Sequence, residues 1–159
     1  MRQLWVQTLS ALDWIRHSLE RQELESDKAL GALGEDLAHR FLQRNGYTIV
    51  ARNYRPPNSH REVDIIARHG DTLVIVEVKT RSREDYLPTE RAVDKKKRHN
   101  LERAAVSYIR RAHIPWERVR FDIVSVVLQP KPLIRHTPDA FHPDRSLFTR
   151  PVYATEVQD

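Results

Sequence analysis

The sequence predicts an α/β protein built in the order helix, three strands, helix, strand, and three patterns predict it. Apolar residues recur at helical spacing over Leu30, Leu33, Leu37 and Phe41, and again over Leu101, Ala104, Ala105, Tyr108 and Ala112. Between them lie three strand-like runs, 47–51, 62–68 and 72–80, and a fourth, 119–128, follows the second helix. Turn and stop residues fall where these runs meet: Asn45-Gly46, Arg55-Pro56-Pro57-Asn58-Ser59, Gly70-Asp71 and Pro115.

Each element has a local reason. Residues 4–25 carry Leu4, Trp5, Leu9, Leu12, Ile15 and Leu19 on one stripe, which predicts an extra amphipathic N-terminal helix. That helix packs on its own domain or meets a partner; its mixed polar face does not suit a membrane surface. Ser26 and Asp27 cap the next helix and Asn45-Gly46 stops it. The run 62–68 and the run 72–80 form a hairpin, because glycine first in a two-residue loop suits a type II′ turn. Residues 90–112 form the second helix. Residues 129–159 hold five of the nine prolines and no clear period, and read as an extended arm. The expected organisation is an N-terminal extension over 1–27, an α/β domain over 28–128 and a C-terminal arm over 129–159.

Composition narrows the chemistry. With 159 residues, 40% of them hydrophobic and 31% charged, one domain with its own core is expected. The absence of cysteine excludes disulfides, thiolate catalysis and cysteine-ligated zinc. No apolar run approaches about 18 residues, and Asp13 and Arg16 interrupt the first apolar stretch, so a cytoplasmic protein is expected. There is no glycine-rich phosphate loop to support nucleotide hydrolysis. Charge is unevenly spread: residues 1–36 carry four bases and seven acids, whereas residues 79–120 carry thirteen bases and six acids. A concentrated basic segment is what a phosphate-backbone binder needs, although a solvated helix face has the same composition.

The hairpin carries the chemistry. A two-residue turn at Gly70-Asp71 sets Ile66 opposite Ile75, Asp64 opposite Glu77 and Glu62 opposite Lys79. Alternation then gathers Glu62, Asp64, Glu77 and Lys79 at one end of a face whose other end is apolar. Facing carboxylates repel, so the pair shares a proton, meets a cationic side chain, or binds a metal. Oxygen ligands without Cys or a His pair favour Mg²⁺ or Mn²⁺, with the Val78 carbonyl as a further ligand. Lys79 would then orient or deprotonate a bound water. The competing arrangement is a surface salt bridge between Glu62 and Lys79. The apolar run Leu73-Val74-Ile75-Val76 argues against it, since it marks a buried central strand at whose end charges are costly. The metal arrangement requires that no basic side chain fill the gap between the two acids.

Gly34-Glu35-Asp36-Leu37-Ala38, Asn45-Gly46-Tyr47, Arg52-Asn53, Glu62-Val63-Asp64-Ile65-Ile66, Val76-Glu77-Val78-Lys79-Thr80-Arg81 and Phe121-Asp122-Ile123-Val124 together resemble the YraN family over roughly residues 30–128. That family is similar to archaeal Holliday-junction resolvases and to the PD-(D/E)xK nucleases. The resemblance implies a restriction-endonuclease-like αβββαβ core with a mixed central sheet. It also implies Asp64, Glu77 and Lys79 as the D…E-x-K set, with Glu35 as an accessory carboxylate. Arg61 stands where that family usually has glycine.

Around this set, Arg61, Arg81, Arg83, Lys95, Lys96, Lys97 and Arg98 are candidate nucleic-acid contacts, which position a backbone without reading sequence. Glu35 either points at the sheet or serves a helix dipole from a first turn. Lys97 lies nearer the apolar stripe than Lys95 and Lys96, and either reaches the site or snorkels at the stripe's edge. Tyr54 and Tyr86 are candidates for base stacking. The histidines show no metal-ligand spacing. The expectation is a Mg²⁺- or Mn²⁺-dependent endonuclease acting on branched or single-stranded DNA in recombination, repair or DNA uptake. A non-catalytic nucleic-acid binder or adaptor, and an oligomer built through the N-terminal helix, are the alternatives.

Overall fold

A computed structural model of the chain describes residues 5–8, 27–83, 95–143 and 146–149. The elements are β1 (Trp5–Thr8), α1 (Asp27–Arg44), β2 (Thr48–Tyr54), β3 (Val63–His69), β4 (Thr72–Arg83), α2 (Lys95–Arg111), a 3₁₀ turn (Trp116–Arg118), β5 (Val119–Gln129), β6 (Leu133–Thr137) and a short α3 (Ser146–Thr149). They form one mixed sheet in the order β1-β6-β5-β4-β3-β2, and α1 to β5 run in the expected αβββαβ order.

Among the described residues only the β4–β5 pairing is parallel, with α2 making the crossover between them, and the other pairings are antiparallel. The sheet separates two apolar clusters. Leu33, Leu37, Ala38, Phe41 and Leu42 of α1 pack on Ile65, Ala67, Val74, Val76, Val78 and Val124. Leu101, Ala104, Ala105 and Ile109 of α2 share the other cluster with Ile66, Leu73, Ile75 and Phe121. β4 therefore has apolar side chains on both faces and strands on both sides, as its continuous hydrophobic run requires.

Both expected punctuation sites operate as turn chemistry dictates. Gly46 has φ +83°, and the Gly46 and Tyr47 N–H groups donate to the Gln43 and Leu42 carbonyls, which satisfies the last turn of α1. Gly70 has φ +59°, and the hairpin pairs His69 with Thr72, Ile66 with Ile75 and Ile65 with Val76, the register expected from a two-residue turn.

Two expectations are corrected at the ends. Trp5–Thr8 is not the start of a helix but an edge strand paired with β6 in the register Trp5 to His136; the rest of the expected helix lies outside the described residues. The C-terminal segment is not a loose arm throughout. Leu133–Thr137 pairs with β5, Ile134 is fully buried, and Phe141 packs in the cluster under α2. A strand of five residues bounded by prolines has too little length to show a period, and only an available partner edge makes it a strand.

A buried acid holds this last strand. Asp122 accepts from Arg120 at 2.8 Å through both oxygens, meets His136 Nε2 at 2.8 Å, and accepts the Asp139 N–H at 3.0 Å. Arg120 also donates to the Tyr47 hydroxyl at 2.9 Å, so β5, β6 and the end of α1 meet at one carboxylate. Burial opposes the charged form of Asp122, but the His136 and Arg120 hydrogen bonds and the Arg120 charge outweigh it and hold its pKa below the usual range. Asp122→Ala should therefore cost about 3–5 kcal/mol in denaturant unfolding, the cost of breaking a buried pair.

The two glycines of α1 have opposite roles. A Cβ on Gly34 would lie 1.8 Å from Thr80 Oγ1, so helix and central strand approach as closely as they do only because that side chain is missing. Gly31 faces open space. Gly34→Ala should destabilise by about 1–3 kcal/mol through overpacking. Gly31→Ala should stabilise by about 0.5–1 kcal/mol through helix propensity. Equal signs for the two in thermal unfolding would contradict this packing.

Candidate active site at the end of the central strand

The β3–β4 ladder ends at Ile65 and Val76. Counting pairs from His69 and Thr72, the next hydrogen-bonded pair would be Val63 with Val78. Instead the Val78 N–H donates to Asp64 Oδ2 at 2.7 Å. The alternation of β3 breaks at the same point, since Val63 packs under α2 while Ile65, two residues on, packs under α1. The Asp64 carboxylate thus takes the place of a main-chain acceptor and lies at the mouth of the hairpin.

Glu77 is 2% exposed. Its Oε1 receives Lys79 Nζ at 2.9 Å and Lys97 Nζ at 2.5 Å. Asp64 makes no ion pair among the described residues. Burial first, and then the Glu77 charge, push its carboxyl up to about 7. Burial lowers the pKa of Lys79, with Glu77 opposing the shift. Burial likewise works against the charged form of Lys97, but its hydrogen bond and charge pairing with Glu77 prevail and raise its pKa.

Asp64, Lys79 and Lys97 line a cavity of about 540 Å³, with Leu30, Gly31 and Glu35 of α1, Val78 and Arg81; Glu77 is not part of that lining and is reached from it through the two lysines. Glu35 stands in the middle of α1, not in a first turn, so the helix-dipole role does not apply to it. Burial raises its pKa, a hydrogen bond with Asn53 and the Arg52 charge lower it, and its own charge adds to the upward pressure on Asp64. Of the expected carboxylates, Asp64 and Glu35 line this cavity and Glu62 does not.

Other expected partners are redistributed. Glu62 does not meet Lys79; Arg55, from the proline-containing loop, holds it through Nε at 2.8 Å. Arg61 donates to Asn100 Oδ1 at 3.4 Å, which ties the loop before β3 to the first turns of α2. Arg98 donates to Glu102 and to the His142 carbonyl, and lies 4.6 Å over the Phe141 ring. Its guanidinium therefore has partners within the fold while its side chain stays partly exposed. Tyr54 packs edge-on against Tyr108 and is likewise engaged. Lys95 and Lys96 are exposed in the first turn of α2, Arg81 is exposed at the cavity, and Arg83 ends β4. Tyr86 lies outside the described residues. The reading of the sequence missed the Asp122 cluster; its signal was the charged triplet Arg120-Phe121-Asp122 inside a run that is otherwise apolar.

The donor chemistry fits a hard divalent cation. Mg²⁺ is commonly held by one or two carboxylates and otherwise by water and phosphate oxygens. Asp64 and Glu77 offer two carboxylates and Val78 a carbonyl, while among the described residues no group of three or more His, Cys, Asp or Glu side chains is placed to hold a metal ion, so water and phosphate oxygens would have to complete the set. Against this, the lysines already counter Glu77, so a cationic side chain does stand beside the acid pair.

An αβββαβ order with a mixed central sheet between two helices defines the class: an α/β protein, with an acid on one strand and Glu-x-Lys on the next. Comparison with known proteins identifies the family. Residues 34–126 match the model of the Uncharacterised protein family UPF0102. A UPF0102 protein of Solibacter usitatus is 52% identical over 111 residues, covering 70% of this chain and 84% of the relative. One from Koribacter versatilis is 47% identical over 114 residues, covering 70% and 78%. One from Dictyoglomus turgidum is 38% identical over 120 residues, covering 73% and 99%. The chain belongs to UPF0102, the YraN family of the resemblance.

Because the folded pKa of Asp64 lies near 7, above the unfolded 3.8, ionising this carboxyl costs the native state stability. The penalty is complete above about pH 7 and vanishes as pH falls toward 3.8. In chelator, Asp64→Asn, which can still accept from Val78, should melt on the order of 5 °C above wild type at pH 8. That gain should shrink steadily between pH 7 and pH 4. A pH-independent difference would show that the burial penalty is absent.

Proposed function

We propose that the chain is a Mg²⁺- or Mn²⁺-dependent endonuclease acting on branched or single-stranded DNA in the cytoplasm, in recombination, repair or DNA uptake. The observation that carries this reading is that Asp64, Lys79 and Glu35 line one cavity while Glu77, paired with Lys79, stands close enough to Asp64 for its charge to push the Asp64 carboxyl up. Asp64, Glu77 and the Val78 carbonyl would hold the ion, which when bound would supply Lewis acidity to the scissile phosphate and lower the pKa of water. Lys79 is held by Glu77 and half-desolvated, which suits it to orient the attacking water and to exchange a proton with it. Glu35 would add negative charge toward the cation. Arg81, Lys95 and Lys96, with Arg83 beyond, would grip the phosphate backbone without reading bases.

A second reading has its own observation in favour. Two ammonium groups on Glu77 leave that carboxylate compensated without any metal, as a non-catalytic nucleic-acid binder on the same fold would have it. The balance favours catalysis because Asp64, beside Glu77, has one N–H donor and no ion pair among the described residues. A purely structural salt bridge would not leave the second acid so poorly compensated.

Labelled forked, four-way and single-stranded DNA incubated with the protein and Mn²⁺ separate the two. Cleavage of at least one is expected, with Asp64→Ala and Lys79→Met each slower by roughly 10²–10⁴-fold. Salt-sensitive binding that ignores Mn²⁺, with no cleavage of any substrate, would replace the nuclease by the binder.

A further inference from the structure

Glu77 holds two lysines that differ in kind. Lys79 lies on the same strand, two residues along, and its side chain is only 20% exposed. Lys97 comes from another element, the first turn of α2, and its side chain is 54% exposed. One ammonium is walled in by the fold; the other reaches the acid from solvent on a flexible four-carbon stem.

The location of Lys97 is itself unfavourable to its helix. The first turn of α2 reads Lys95-Lys96-Lys97 with no acid in it, and positive charge at a helix N-terminus opposes the backbone dipole. Lys97 alone of the three lines the cavity that contains Asp64 and Glu35. Its ammonium brings one positive charge to an acid group whose other members lack an equivalent partner. A divalent cation at Asp64 and Glu77 would bring two, and like charges at such short range in a partly desolvated site exclude each other.

We propose that Lys97 is an exchangeable counter-cation: it holds Glu77 until a divalent ion binds between Asp64 and Glu77, and then swings to a phosphate of the bound strand. This rests on the metal-dependent reading of the same site. Loading of the ion is thereby coupled to binding of DNA, because the ammonium released from the carboxylate needs a new anion. Lys79, confined beside Glu77, stays in place throughout.

Calorimetric titration of Mn²⁺ into the chelator-treated, dialysed full chain tests the exchange without recourse to activity. Lys97→Gln should bind Mn²⁺ about tenfold or more tightly than wild type in the absence of DNA, since the competing ammonium is gone. Lys97→Arg, which keeps the charge, should bind like wild type, and Asp64→Asn should abolish binding in either background. Equal Mn²⁺ affinity in wild type and Lys97→Gln, with Asp64→Asn still abolishing it, overturns the exchange and leaves the metal site standing. No Mn²⁺ binding by any of these proteins overturns both, and Lys97 is then a permanent partner of Glu77. A measurement on the wild type guards against misfolding of the variant. Acylation of Lys97 by an amine-reactive ester, followed by mass spectrometry against Lys95, should accelerate several-fold on adding Mn²⁺, and an unchanged ratio overturns the exchange.

Discussion

A carboxylate buried at the end of a central strand needs positive charge brought to it, and the geometry of this protein's cavity follows from that need. Glu77 sits where β4 leaves the apolar interior, with β3 and β5 alongside and helices over both faces. Water cannot solvate it there, so the fold must. Lys79 comes from the same strand and Lys97 from α2, and the two meet on one oxygen. The crossover helix α2 is thereby tied to the strand it follows, and the cavity opens between that helix and α1.

Two aspartates of the sheet, Asp122 fully buried and Asp64 partly buried, illustrate opposite uses of a charge. Asp122 collects an arginine fork, a histidine and a backbone N–H, and its pKa falls. Asp64 collects one backbone N–H and faces two other acids, and its pKa rises. A fully compensated acid stabilises one arrangement of strands. An acid left short of positive charge in a solvent-reaching cavity has no such structural partner set, and perturbed acids of this kind concentrate at functional sites.

Close approach of α1 to β4 sets where the two ends of the cavity stand. Gly34 lets the helix backbone lie against Thr80, one residue beyond Lys79, and Glu35 follows immediately on the helix. A side chain at residue 34 would meet Thr80, so helix or strand would have to shift beside Glu35. The short sequence Gly34-Glu35 thus couples a packing requirement to an electrostatic one.

What the sequence by itself determined is what depends on neighbours along the chain. Gly70-Asp71 determined the hairpin register as far as Ile65 and Val76, and the Leu33, Leu37 and Phe41 stripe determined which face of α1 is buried; beyond that pair the ladder gives way and the Asp64 carboxylate takes the Val78 N–H. Tertiary structure decided everything in which two distant segments compete for one partner. Glu62 turned to Arg55 and left Lys79 to Glu77, Arg98 was taken up by Glu102, Phe141 and the His142 carbonyl, and Lys97 came to the acid. Trp5–Thr8 and Leu133–Thr137 became strands only because each found an open edge. Periodicity reports which way a side chain faces, since that follows from local backbone geometry; it is silent on which of several available charges or edges will arrive there, since that is settled by free energy over the whole fold.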